Sequence, residues 1–256
     1  MSGDAPPDLA PRFHAARADR GLAVLEGFHA LKHALRFGAS VELAVTVDRE
    51  AALGLAAALA ADLLPHLRET LVEVPKALFA RLAPVAPVTG VLALALRPPF
   101  DLGRVLDETP EAPLVLLENP ADLGNIGAAV RVAAAAGAAA VLTTGRHDPW
   151  HPTALRGSAG LHFALPVAAV PALPATGRCL VALDPAGQRL DGAALPAGAV
   201  LAFGTERDGL SPGMLARADR RVAIPMQPGV SSLNLATAVA VALYAWRLAR
   251  PHALPQ

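Results

Sequence analysis

The feature that most limits how this chain can fold is a series of short apolar runs, each closed by a glycine or proline loop. Residues 114–117 (LVLL), 139–143 (AAVLT), 179–183 (CLVAL) and 200–203 (VLAF) carry almost no polar side chain. A strand that is apolar on both sides has to be covered on both sides. Strands alternating with helices meet that requirement in a mostly parallel sheet with helices on either face, so an α/β fold is expected. Residues 125–136 carry the helical pattern between the first two runs. Residues 233–250 read as a final long helix that is apolar nearly all round, with Leu235, Val239, Val241, Leu243 and Trp246 along it. Ser231 or Ser232 is placed to cap its start, and Arg247 and Arg250 suit its end. Such a helix is expected between layers or at a subunit interface.

The N-terminal part repeats the alternation on a smaller scale. Residues 26–37 (EGFHALKHALRF) read as a helix ended by Gly38, 41–47 as a strand and 50–64 as a helix. Residues 71–74 read as a strand, 75–82 as a short helix and 91–96 (VLALAL) as a strand. Pro6, Pro7 and Pro11 mark residues 1–12 as a flexible tail. The stretch RPPFDLGRVLDETPEAP has four prolines and no periodicity, so it reads as a linker. The expected plan is a tail (1–12), a small α/β domain (13–97), a linker (98–112), a second domain (113–251) and a short tail (252–256).

Composition narrows the function classes. The 22 basic and 22 acidic residues cancel, which excludes a nucleic-acid binder held by bulk charge but leaves room for a local basic groove. Cys179 is the single cysteine, so no internal disulfide framework exists and a reducing, cytoplasmic setting is expected. Hydrophobic residues reach 54%, yet Arg131 interrupts one greasy stretch and Asn234 and Thr237 another, so no membrane span is expected. The start, MSGDAPPDLAPRF, lacks the basic-then-apolar pattern of a signal peptide.

Three loops follow strands and carry the candidate chemistry. The first, NPADLGNIGAAVR (119–131), opens a helix; Gly124 and Gly127 permit close backbone approach, and Arg131 lies six residues after Asn125. Its glycine spacing is G-x-x-G, not the G-x-G-x-x-G of a dinucleotide turn, and no acidic residue clearly ends the next strand. The second, GTERDGLS (204–211), places Glu206 in a turn and offers Ser211-Pro212 as a helix start. The third, IPMQPGVSSLN (224–234), is a structured turn in which Ser232 and Asn234 cap a helix or meet a ligand. His147 and His151 stand four apart with Pro149 between them and no further ligand, so no metal site is expected.

Taken together and in this order, NIGAAVR, FGTERDGLS and IPM…SSLN resemble the three motifs of the SpoU (TrmH-like) branch of the SPOUT RNA methyltransferases. The resemblance spans roughly residues 113–250, including the connecting segment 150–167. The first domain, with EGFHALKHAL and TGVLALA, more weakly resembles the L30e-like RNA-binding domain that often precedes it. The resemblance implies a SPOUT-type parallel sheet with a C-terminal trefoil knot, a homodimer, S-adenosylmethionine as cofactor, and methylation of an RNA ribose 2′-hydroxyl. It implies catalytic roles for Asn125, Arg131, Glu206, Ser232 and Asn234, with Arg131 central and Glu206 ordering its loop or the partner subunit's arginine. Gly204, Ile224 and Leu233 are implied as backbone contacts to the cofactor. Asp122 competes with Asn125 for the asparagine's place, and the spacing to Arg131 favours Asn125.

Ribosomal RNA is the expected substrate, since minimal transfer-RNA enzymes of this branch lack the first domain. A transfer-RNA enzyme and an antibiotic-resistance enzyme for 23S ribosomal RNA are alternatives within the family. A dinucleotide-binding oxidoreductase and a non-catalytic RNA-binding protein are the alternatives outside it. Arg12, Arg17, Arg20, Lys32, Arg36, Arg131 and Arg156 are the candidate basic groups for RNA, with Ser158 a further contact candidate.

Overall fold

The structure, a computed structural model, describes residues 9–205 and 207–250. They form two compact units. The first takes the residues up to Pro99 together with Trp150–Ala164; the second takes Phe100–Pro149 and the residues from Leu165 on.

In the first unit, α1 (Leu9–Ala16) buries Leu9, Ala10, Phe13 and Ala16. Residues 9–12 thus belong to a helix, with Leu9 and Ala10 in the core, and not to a tail; the expectation for 1–8 lies outside the described residues. Pro11 is tolerated because first-turn N–H groups have no helical partner. β1 (Leu22–Glu26) takes Glu26, which the helical reading had assigned to the next element. Gly27 makes the break with φ 105°, and α2 (Phe28–Arg36) follows. β2 (Val41–Thr46) leads to α3 (Arg49–Leu59), capped by the Asp48 carboxylate, which accepts from the Ala51 N–H. The expected single helix 50–64 instead breaks at a 3-10 turn before α4 (Leu64–Thr70), where Pro65 occupies the first turn. β3 (Leu71–Glu73), α5 (Lys76–Phe79) and β4 (Val91–Leu96) complete the set. The strand order is β1-β4-β2-β3, with β4 antiparallel to β1 and β2, and β3 parallel to β2. Val24, Val45, Leu92 and Leu94 pack with Phe13, Phe79 and Leu82 to form its core.

The segment Trp150–Ala164 packs into this first unit, which corrects its assignment to the second domain. Its helix lies against β1, and its 3-10 turn against α2. Gly160 has φ 81°, and a Cβ there would sit 2.4 Å from the Ala30 carbonyl oxygen, so only glycine allows the approach. His33 Nδ1 lies 2.7 Å from the Ala159 carbonyl oxygen. Burial lowers the His33 pKa, and that carbonyl partly opposes the shift. Glu26, 6% exposed at its side chain, bridges Arg17 at 2.8 Å and Arg156 at 3.0 Å. Ser158 is fully buried and paired with His162 Nδ1 at 2.7 Å. Arg156 and Ser158 therefore hold this segment in place, and Ser158 is withdrawn from any RNA surface.

The second unit begins inside the expected linker. Asp101 caps α6 (Leu102–Glu108), Val105 enters the core, and Arg178 donates to the carbonyls of Leu106, Thr109 and Ala112 at its end. Prolines at the margins hid this helix. β5 (Leu114–Leu117), α7 (Leu123–Ala136) and β6 (Ala140–Thr143) follow, then α8 (Pro152–Gly157) within the first unit, and β7 (Val167–Ala169). β8 (Leu180–Arg189), β9 (Val200–Phe203), α9 (Pro212–Arg217), β10 (Arg220–Ala223) and α10 (Leu235–Leu248) end the chain. All six strands are parallel, in the order β10-β8-β9-β5-β6-β7. Leu114, Leu116, Leu142, Val200 and Ala202 pack on one side with Val105, Leu173 and Met214. Their neighbours Val115, Leu117, Val141 and Leu201 are equally buried, as a two-sided sheet requires. α7 and α10 pack together, with α7 on β6 and α10 on β9. Among the described residues no helix is long and apolar enough to cross a membrane.

Candidate active site

In a parallel sheet the loops at the carboxyl ends of the strands share one edge, and ligands bind there. β5, β9 and β10 send the three motif loops to that edge. In the first loop the Asp122 side chain accepts the Asn125 N–H at 2.7 Å and caps α7. Asp122 serves the helix, and the Asn125 amide is left to reach across to the third loop. There Asn234, not Ser231 or Ser232, caps α10, its Oδ1 accepting from the Ala236 and Thr237 N–H groups. The cap fixes the amide's orientation, so Nδ2 points outward and donates to Asn125 Oδ1 at 2.9 Å. Two residues 109 positions apart are thus joined by one hydrogen bond.

Beside them lies a cavity of about 430 Å³. Gly204 and Thr205 line it from the second loop, and Ile224, Met226, Ser232 and Leu233 from the third. Gly204, Ile224, Leu233 and Ser232 were expected at a ligand site, and the fold brings them to one cavity. A Cβ on Gly204 would stand 2.0 Å from the Gly209 carbonyl carbon, so the second loop folds tightly on itself there. A bridge between Thr205 and Gly209 holds that fold. Arg131 does not line the cavity; it is exposed on α7, about one and two-thirds turns past Asn125. Glu206 lies outside the described residues. His151 caps α8, its Nδ1 accepting the Thr153 N–H.

Two contributors went unread in the sequence. Glu118, one residue past β5, accepts from both the N–H and the hydroxyl of Ser211, each at 2.7 Å. It thereby ties the first loop to the end of the second. Leu183, Asp184 and Pro185 line the cavity from β8. The Asp-Pro-Ala-Gly sequence after the 179–183 strand was the available signal, since it has turn composition where a strand would otherwise continue.

Residues 112–244 match the SpoU rRNA Methylase family. This chain belongs to that family. Among its curated relatives is an uncharacterized tRNA/rRNA methyltransferase of Synechocystis, 39% identical over 139 residues that cover 51% of each chain. The 23S rRNA (guanosine-2'-O-)-methyltransferase RlmB of Acinetobacter baylyi is 33% identical over 155 residues, 56% of this chain and 62% of that one. The matched segment thus spans between half and two thirds of these relatives. A crystal structure of the SpoU methyltransferase AviRb from Streptomyces viridochromogenes, in complex with the cofactor AdoMet, superposes with a TM-score of 0.73 at 25% identity. It covers 93% of this SpoU family chain and 97% of AviRb.

Proposed function

We propose that this SpoU family chain is an S-adenosylmethionine-dependent methyltransferase acting on a ribose 2′-hydroxyl of RNA, with ribosomal RNA as its substrate. The observation that carries this reading is the convergence of three motif loops on one sheet edge, where the Asn125–Asn234 bond stands beside a cavity lined by Gly204, Ile224, Ser232 and Leu233. The named 23S rRNA relative and the AdoMet complex of AviRb support the substrate and the cofactor. The small-molecule size of the cavity fits the cofactor, as do walls that combine apolar side chains with turn backbone. Leu183, Ile224, Met226 and Leu233 would hold its flat apolar part, and the main chain of Gly204 and Thr205 its polar atoms.

When bound, the cofactor supplies a methyl group on a positively charged sulfur, already activated for displacement. The chain's own task is alignment and proton removal. Asn125 and Asn234 fix the first and third loops against each other, and Ser232 positions RNA or the cofactor loop. Arg131 holds an RNA phosphate through paired hydrogen bonds and polarises the 2′-hydroxyl, because a guanidinium stays charged and rarely accepts a proton. Glu206 is assigned the task of ordering its loop or the partner subunit's arginine.

The same reading includes a homodimer, a trefoil knot and an L30e-like RNA-binding role for the first unit, in the cytoplasm. Val241, Tyr244 and Leu248 leave an exposed apolar stripe on α10, Leu248 at 80%, which suits a subunit interface. For the knot, the segment between β8 and β9 closes on α10. A Cβ on Gly192 would stand 1.9 Å from the Ala245 carbonyl oxygen, and Arg250 donates to the Gly192 carbonyl at 3.1 Å.

The test is calorimetric titration with S-adenosylmethionine paired with labelled methyl transfer to ribosomal RNA. Arg131→Ala is expected to lower transfer about a hundredfold or more while cofactor affinity changes less than about twofold. Retained turnover overturns the assignment of Arg131.

A further inference from the structure

β8 leaves the sheet where it meets the cavity. It pairs with β10 at Val181–Arg220 and Ala182–Arg221, and next at Gln188–Val222 and Arg189–Ala223. Residues 183–187 therefore stand out of the ladder as a bulge. Its return is so close that a Cβ on Gly187 would lie 2.4 Å from the Val222 nitrogen and 2.5 Å from the Arg221 carbonyl carbon. Only glycine closes it. The bulge sets Asp184 in the cavity wall. Asp184 Oδ1 accepts the Ala186 N–H at 2.8 Å, which fixes the carboxylate, and Oδ2 has no hydrogen-bond partner among the described residues. The other charged residues of the described lining are Asp208 and Arg207, so two carboxylates face one guanidinium, an excess of negative charge.

We propose that Asp184 makes this site select the methyl-bearing cofactor over its demethylated product. The proposal rests on the methyltransferase reading above. In that reaction the methyl–sulfur bond breaks and a methyl–oxygen bond to the ribose forms. The electron pair stays on sulfur, and the hydroxyl proton passes to water. Sulfur thereby changes from a sulfonium cation to a neutral thioether, while the rest of the molecule is unchanged. A carboxylate held in a partly enclosed wall attracts the first form and not the second. Selectivity is a difference of two affinities, and here one charge supplies it and eases product release after each turnover.

The test titrates the full chain with S-adenosylmethionine, S-adenosylhomocysteine and sinefungin, which carries an amine-bearing carbon in place of the sulfonium. In Asp184→Asn, affinity for the two cationic ligands is expected to fall about tenfold, and affinity for S-adenosylhomocysteine to stay within about twofold. Equal loss for all three, or no loss, overturns the proposal. If the variant does not fold, the unsubstituted chain still decides: its preference for S-adenosylmethionine over S-adenosylhomocysteine should shrink with added salt. A salt-independent preference overturns the proposal. Failure of the unsubstituted chain to bind any of the three ligands counts against the methyltransferase reading itself.

Discussion

Asn234 does two jobs with one amide, and each job uses a different atom. Oδ1 caps α10 and Nδ2 donates to Asn125. The two can be separated chemically. Aspartate caps a helix as well as asparagine but has no N–H to give. Asn234→Asp is therefore expected to keep the chain's stability within about 0.5 kcal/mol while methyl transfer drops sharply. Asn234→Ala loses both functions and should also cost about 1 kcal/mol of stability. Urea unfolding beside the transfer assay distinguishes them. An aspartate variant with full activity would mean that the Asn125 contact does not matter to catalysis. The sequence made Asn125 and Asn234 visible as candidates through the resemblance of their loops to the SpoU motifs. It left Asp122 and Asn125 in competition, because only the folded turn shows which one is consumed in capping.

At the scale of elements, the apolar runs of the second unit were legible because a strand buried on both faces leaves an unbroken apolar record. β5, β6 and β9 sit within a residue of where that record places them. Elements whose burial comes from elsewhere in the chain left weaker traces. β10 begins Arg220-Arg221, both exposed at the sheet's edge, and so lacks an apolar signature. α6 is short and flanked by prolines, and its helical state depends on the Asp101 cap and on Arg178 gathering its last carbonyls. The segment Trp150–Ala164 is the largest surprise, since adjacency along the chain argues for the second unit and packing decides for the first. Gly160 is where that packing is least forgiving. Gly160→Ala forces a side chain into a left-handed backbone and against the Ala30 carbonyl, at an expected cost of about 2–4 kcal/mol. Chemical denaturation measures it. A loss below about 0.5 kcal/mol would mean the segment is free to shift away from α2.

At the scale of the whole molecule, a net charge of zero has to coexist with the RNA substrate proposed above. The resolution proposed from the sequence was a set of basic groups gathered for RNA, and the structure divides that set. Arg12 pairs with Glu42, Arg36 with Asp62, and Arg17 and Arg156 share the buried Glu26. The exposed pairs are worth little and exchange readily with a phosphate, but the Glu26 group is different, because its carboxylate is buried and losing either arginine leaves it with one partner instead of two. Arg20, Lys32 and Arg131 have no ion pair among the described residues. They are the groups most available to phosphate, and each phosphate contact contributes to how steeply binding falls with salt. Arg20→Ala and Lys32→Ala are each expected to reduce the slope of log affinity against log salt by about 1. Arg17→Ala should leave that slope unchanged and instead destabilise the first unit by about 2 kcal/mol, since Glu26 loses its closer partner and keeps only Arg156. RNA binding measured across a salt series, with unfolding of the same three variants, separates the two classes. If Arg17→Ala lowers the slope as Arg20→Ala does, the Glu26 group opens when RNA arrives, and the first unit binds RNA by rearranging its own ion pairs.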